Sequence, residues 1–218
     1  MPGSQEPRSR GRGRPVSIDE IVTTALALID EHGLEDLTMR RLADAIGVQP
    51  MTLYRYLPNK DAILAEVAER LWRELPPIDP AITGWREQLR AMWLQLFELM
   101  LRHPSAVPLI ARGRGYSSAA AAGIAGMVAV LRDAGFSPAL AGRFVHSASA
   151  LVAGFAFAFV WQHEAQQGQG PDRPAGEPPL LDPDLRDYLS GLGPFTTDEF
   201  GQALDLLIAG FAEQLPTT

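Results

Sequence analysis

Apolar side chains recur at helical spacing along almost the whole chain. Ile21, Val22, Ala25, Leu26 and Ile29 fall on one face of a helix over about 17–32, because residues three and four apart share a side of a 3.6-residue turn. Ser17-Ile18-Asp19-Glu20 has capping-box spacing ahead of that face, and Gly33 stops the helix just after His32. A short helix capped by Thr38 buries Leu42, Ala43 and Ile46, and Gly47 supplies the positive φ of a tight turn. A third short helix follows from about Pro50 to Tyr56. Pro58-Asn59-Lys60-Asp61 ends it and caps a fourth, striped by Ile63, Leu64, Val67, Ala68 and Leu71.

Pro76-Pro77-Ile78-Asp79-Pro80 is a rigid break. It divides a head, 17–75, from a body, 76–218, with a basic arm over 1–16 that is expected to be disordered. The body reads as helical throughout: about 84–102, 105–112, 117–134 ending at Gly135, and a long helix from Ser137-Pro138 to about Gln166. Residues 167–181 are rich in Gly, Pro and Gln and read as a mobile loop, with a short helix expected at 182–190. Thr196-Thr197-Asp198-Glu199 is a second capping box, followed by a stripe of Phe200, Leu204, Leu207, Ile208, Phe211 and Leu215. No run alternates with the period of two that a half-buried strand needs. The predicted class is all-α, a three-helix helix-turn-helix head on a helical bundle.

Composition narrows the chemistry. With 46% hydrophobic and 21% charged residues the chain is ordinary globular protein, and with no cysteine it has no disulfide, thiolate zinc site or cysteine nucleophile. The arginine-bearing N-terminus lacks the apolar run of a secretory signal. Phe144–Trp161 is nearly long and apolar enough for a membrane span, but His146, Ser147, Ser149 and Gly154 break it. With no second span and no polybasic flank, a buried or interface helix is the better reading and no membrane partner is expected. Net charge is −7, so any DNA affinity must come from a local basic face. The first 75 residues hold ten basic and twelve acidic side chains.

Two short helices joined by a glycine turn are the layout of a helix-turn-helix, whose second helix enters the major groove. That second helix turns Thr52, Tyr54, Arg55 and Tyr56 outward and Leu53 and Leu57 inward. The run Leu37-Thr38-Met39-Arg40-Arg41-Leu42-Ala43-Asp44-Ala45-Ile46-Gly47-Val48, then Met51-Thr52-Leu53-Tyr54-Arg55-Tyr56-Leu57-Pro58-Asn59-Lys60, resembles the DNA-binding head of TetR-type regulators. Trp85-Arg86-Glu87, Arg102-His103-Pro104, Leu131-Arg132-Asp133-Ala134-Gly135 and the ending at 200–215 resemble the C-terminal domain of the tetracycline-repressor branch.

The resemblance implies a cytoplasmic, homodimeric regulator of double-stranded DNA, most simply a repressor, that answers to a small molecule. It implies a DNA-facing set of Thr38, Arg40, Met51, Thr52, Tyr54, Arg55, Tyr56 and Lys60. Tyr54, Tyr56 and Lys60 would meet phosphates, Lys60 from a helix start, and Arg55 would read a guanine. Pro50 and Met51 depart from the family pattern, since neither side chain donates or accepts a hydrogen bond. Arg12-Gly13-Arg14-Pro15 matches the core of minor-groove AT-hook peptides, with a generic basic tail as the alternative for Arg12 and Arg14.

In the body the expected dimer seam is Ala148, Phe155, Phe159, Leu204, Leu207 and Phe211. The expected effector pocket is Met92, Trp93, Leu96, Phe97, Met100, Met127, Leu131, Phe144 and His146, which suits a hydrophobic or aromatic ligand and equally suits ordinary core. No cluster of His and carboxylates has metal-ligand spacing, so no metal and no cofactor is expected. Enzyme chemistry lacks paired carboxylates, a nucleophile with its base, or a phosphate loop. The surviving alternative is a DNA-binding regulator whose body binds a protein partner or no ligand.

Overall fold

Several helices begin where the chain offers a side-chain acceptor, and the first two stop at a glycine. In the computed structural model, which describes residues 15–112, 117–166 and 195–215, Ser17 Oγ accepts the Glu20 amide at 3.0 Å and starts α1, Ile18–His32. Thr38 Oγ1 accepts the Arg41 amide at 3.1 Å and starts α2, Met39–Ile46. Each acceptor satisfies an amide that the helix itself leaves unpaired. Gly47 closes α2 in the left-handed region, φ 80° and ψ 35°.

Helix α3, Pro50–Tyr54, is shorter than its sequence suggests. Leu57 precedes Pro58, and a residue before proline is pushed out of the helical region. Arg55 and Tyr56 therefore finish as a tight turn, with the Tyr56 amide donating to the Leu53 carbonyl at 2.9 Å. Helix α4, Lys60–Arg73, follows, and Asn59 Oδ1 accepts the Ala62 amide at 2.8 Å.

The chain forms two compact units, Met1–Val67 and Ala68–Thr218. The division falls inside α4, ahead of the proline-rich break from which the boundary was read in the sequence. In the first unit Ile21, Ile29, Leu37, Leu42, Leu53, Ile63 and Val67 are buried. Each such side chain contributes about 1.5–3 kcal/mol by leaving water.

The second unit comprises α5, Trp85–Arg102; a 3₁₀ turn, Pro104–Ala106; α6, Val107–Arg112; α7, Ser118–Asp133; α8, Pro138–Gln166; and α9, Thr197–Ala212. The sequence suggests one helix over 105–112, but the segment opens as that 3₁₀ turn, with the Ala106 amide on the His103 carbonyl at 2.9 Å. Helix α5 packs on α7, α8 and α9, and its Trp93 and Phe97 are fully buried with Phe144 and Phe200. Phe97 and Phe200 lie with ring centroids 4.4 Å apart. Arg90 donates to both carboxylate oxygens of Asp205 at 2.9 and 3.3 Å, tying α5 to α9. Gly201 permits that approach: a Cβ there would lie 2.9 Å from a guanidinium nitrogen of Arg90.

The reciprocal capping box at Thr196 and Glu199 forms as its spacing predicts. Among the described residues every regular element is helical. The arm with Arg12 and Arg14, the expected loop at 167–181 and the expected helix at 182–190 lie outside the described residues.

Candidate DNA-binding face and body cavity

The head presents a polar and aromatic surface because α3 is anchored by a single buried side chain. Leu53 and the neighbouring Leu57 turn inward, while Met51, Tyr54, Arg55 and Tyr56 are exposed and Thr52 is half-buried. Met51 is the most open of the large apolar residues there, at 73%. Arg40 projects from α2 with its side chain 88% exposed and its Nε 4.0 Å from Asp44 Oδ2. Thr38 is exposed, and its oxygen is used as the α2 cap while its hydroxyl hydrogen stays available. Lys60 opens α4 as expected, and its ammonium donates to the Leu34 carbonyl at 3.1 Å and the Glu35 carbonyl at 3.4 Å. Two of its three N–H groups thus brace the α1–α2 connection.

In the second unit a cavity of about 230 Å³ lies among α4, α5, α6, α7 and α8. Five residues of the expected pocket, Trp93, Leu96, Met100, Met127 and His146, line it. The other four do not. Phe97 is taken up by Phe155 and Phe200, Phe144 stands edge-on to Phe211 at 5.3 Å, Leu131 is fully buried and Met92 lies outside the wall. Trp72, Ile110, Ile124 and Ser149 line the cavity as well. The buried indole nitrogens of Trp72 and Trp93 have no hydrogen-bond partner among the described residues.

The seam residues divide. Ala148 and Leu204 are fully buried within the single chain and present no surface to a second copy, which corrects their assignment. Phe155, Phe159, Leu207 and Phe211 are half-buried, and Phe155 meets Phe97, Phe195 and Phe200 edge-on. Phe157, Trp161 and Leu206, none of them anticipated, carry the exposed apolar surface of α8 and α9, with Leu206 at 76%. Over Pro138–Gln162, α8 is long and apolar enough to cross a membrane by length and composition, with 28% of that stretch buried.

Residues 21–67 match the family described as bacterial regulatory proteins, tetR family, and residues 77–215 match the tetracyclin repressor-like C-terminal domain. The chain belongs to the TetR family. It is 39% identical to the HTH-type transcriptional repressor DrrR1 of Streptomyces coeruleorubidus over 97 residues, 44% of this chain and 36% of that protein. Among solved structures it is similar to the Streptomyces coelicolor TetR family protein ActR in complex with (S)-DNPA, with a TM-score of 0.74 and 27% identity over 92% of this chain and 99% of that one. It is also similar to BioQ with its natural double-stranded DNA operator, with a TM-score of 0.65 and 26% identity over 91% and 99% of the two chains.

One contact of this TetR-family chain escaped sequence reasoning altogether. Glu69, on α4, receives hydrogen bonds from Ser117 Oγ at 2.7 Å, Ser118 Oγ at 2.7 Å and the Ala119 amide at 3.0 Å. Arg73 approaches it at 2.7 Å. The Ala119 amide, then the two serine hydroxyls, outweigh desolvation and with Arg73 bring its pKa down to about 2. A carboxylate on free amides at the start of α7 is the arrangement that a helix dipole favours. The partners stand 48–50 residues apart, and no local spacing announces them.

Proposed function

We propose that the chain is a ligand-responsive repressor that binds a palindromic operator as a homodimer and is released by a small apolar or aromatic effector. The observation that carries the reading is a helix-turn-helix with Thr52, Tyr54, Arg55 and Tyr56 turned outward, within a match to the family over residues 21–67. Tyr54 and Tyr56 donate hydroxyls to phosphates, and Arg55 and Thr52 meet base edges. Arg40 approaches the backbone, while Thr38 donates its free hydroxyl hydrogen. Met51 offers only apolar contact, suited to a thymine methyl. Lys60 keeps one N–H for a phosphate. Arg12 and Arg14 add minor-groove or counterion contacts. The DrrR1 repressor and the operator-bound BioQ support the DNA half of this reading, and ligand-bound ActR supports the effector half.

The body supplies the two-fold contact through the apolar faces of α8 and α9, with Phe157, Trp161 and Leu206 joining Phe155, Phe159, Leu207 and Phe211. Such a pair reads half-sites about 34–36 Å apart, or multiples of that distance. An apolar face of this kind has an occupant in a second copy, so α8 needs no membrane. The reading has no catalytic step, and a regulator of transcription works in the cytoplasm with the chromosome.

Genomic operator capture with purified protein, followed by titration of the recovered duplex, tests it. The expected result is a palindrome bound with a salt-sensitive constant and lost on Tyr54→Ala with Arg55→Ala. Equal binding to all sequences, or a variant with undiminished preference, overturns it.

A further inference from the structure

The leading turn of α3 offers carbon to solvent. Pro50 fills its first position, with neither an N–H nor a polar side chain, and Met51 follows at 73% exposure. Among the described residues of the first unit, the exposed large apolar side chains are Ile18, Met51, Tyr54 and Tyr56. Three of these four fall between positions 51 and 56, and Met51 is the most open. Leu53 alone anchors α3 in the core, so folding does not require Met51 to be apolar.

In a helix-turn-helix the N-terminal residues of the second helix meet base edges. The one apolar substituent that the major groove presents is the 5-methyl of thymine, or of a methylated cytosine. The other edge groups donate or accept, and a thioether pressed against one leaves it unpaired. Met51 therefore selects a methyl and penalises the alternatives.

Arg55 fixes what stands near that methyl. Its backbone is still helical, φ −74° and ψ −22°, so it shares a face with Met51 four residues earlier. Four residues of helix rise about 6 Å, close to two base-pair steps of about 3.4 Å each. Arg40 and Arg41 stand beside Asp44 and Asp36, whereas Arg55 has no ion-pair partner among the described residues. Its guanidinium is free for the paired acceptors of a guanine.

Resting on the reading of α3 as the helix that enters the major groove, we infer that each operator half-site carries a 5-methyl pyrimidine against Met51, within two base pairs of a guanine read by Arg55. Thymine supplies the methyl in ordinary DNA. A methylated cytosine supplies it as well, so operator affinity rises when a cytosine at that position is methylated.

Titration of the captured operator duplex, with thymines replaced by uracil one position at a time, tests this. The change dT→dU removes one methyl and keeps every hydrogen-bonding group. Burying a methyl is worth about fourfold in affinity, or about fifteenfold when both half-sites change together. At one position per half-site the wild type should lose that amount, and Met51→Ala, already weaker, should lose nothing further. Cytosine in place of that thymine should weaken binding, and methylating the cytosine should recover about fourfold per half-site. Replacing a guanine within two base pairs by 7-deazaguanine removes an Arg55 acceptor and should weaken the wild type but not Arg55→Ala. Both side chains are exposed, so circular dichroism should show both variants folded. Half-sites without thymine, indifference to every dT→dU change, or a methyl dependence that survives Met51→Ala overturns the inference. No gain from cytosine methylation, or a critical guanine farther away, overturns it equally. An operator bound with salt-sensitive preference but no methyl dependence sinks this inference and leaves the repressor reading standing. Capture that returns no palindrome sinks the repressor reading and this inference with it.

Discussion

Lys60 is the only lysine in the chain, and the structure gives it a structural duty that its sequence context hides. Its Nζ stands 3.1 Å from the Leu34 carbonyl and 3.4 Å from the Glu35 carbonyl. Lys60→Met keeps the aliphatic stem and removes the charge. A hydrogen bond to a charged group is worth about 1.5–3 kcal/mol, but the second contact is long and Glu35 is exposed, so water takes over there. The expected loss is therefore about 1–1.5 kcal/mol, mainly from the Leu34 contact. Urea unfolding followed by circular dichroism should show a lower midpoint with an unchanged slope on denaturant. A dimer that loses two full phosphate contacts would lose about 1.8 from its salt slope on operator DNA. With two of three N–H groups already engaged, the slope should fall by less than about 1. Unchanged stability together with the full drop in slope would refute the bracing role and return Lys60 to pure phosphate binding.

The other expectations are more local. Gly47 at φ 80° has nothing within 4 Å of an added Cβ, so Gly47→Ala should cost only the backbone penalty of about 1–2 kcal/mol; Gly47→Asn should cost less, and equal losses in thermal denaturation would show that something other than handedness matters. Glu69 has a folded pKa near 2 against an ordinary 4.5, so its stabilisation is complete above about pH 4.5 and fades as pH falls toward 2. Glu69→Gln should accordingly lower the urea midpoint at pH 7 and converge on the wild type near pH 2–3; a gap independent of pH would exclude the carboxylate's charge as its source. Leu206→Glu places two like charges across the proposed seam at a cost of several kcal/mol, and sedimentation at micromolar concentration should then show monomer. A persistent dimer would move the seam elsewhere.

Features that depend on chemistry within one turn were readable from the sequence. Ser17, Thr38 and Thr196 announce their helices because a cap needs only the next three residues, and Gly47 announces its turn because positive φ excludes most side chains. The body cavity was half readable: Trp93, Leu96, Met100 and Met127 sit on apolar stripes, but Trp72 belongs to α4 and arrives only through tertiary packing. Ala148 went to the wrong side because α8 is apolar on nearly every face. With Ala, Gly and Phe distributed all round it, periodicity cannot choose which stripe, Ala141–Phe144–Ala148–Val152–Ala156 or Gly154–Phe157–Trp161, faces inward. Glu69 and Lys60 share another difficulty: apart from Arg73 one turn along from Glu69, their partners are backbone or hydroxyl groups at least 25 residues away, which carry no residue-type signal.

The head's own charges set how the proposed switch must work. Arg40 has Asp44 beside it at 4.0 Å, and Arg41 is held by Asp36 at 3.1 Å, so two cations of the motif are partly neutralised before DNA arrives. In a chain of net charge −7, sequence-independent attraction to phosphate is weak, since that term scales with the number of cations delivered to the backbone. On the proposed reading, affinity for the operator then rests largely on short-range contacts, the Arg55 guanidinium, the Tyr54 and Tyr56 hydroxyls and Thr52, which act only when both heads sit in register. Contacts of that kind are lost together when the half-site spacing changes, whereas a diffuse basic face would hold on through the change. A ligand with a differential affinity of only about 1–3 kcal/mol between the two dimer states suffices to release such a protein. The acidic balance that argues against a DNA binder at first sight is thus what makes a weakly coupled cavity an adequate trigger.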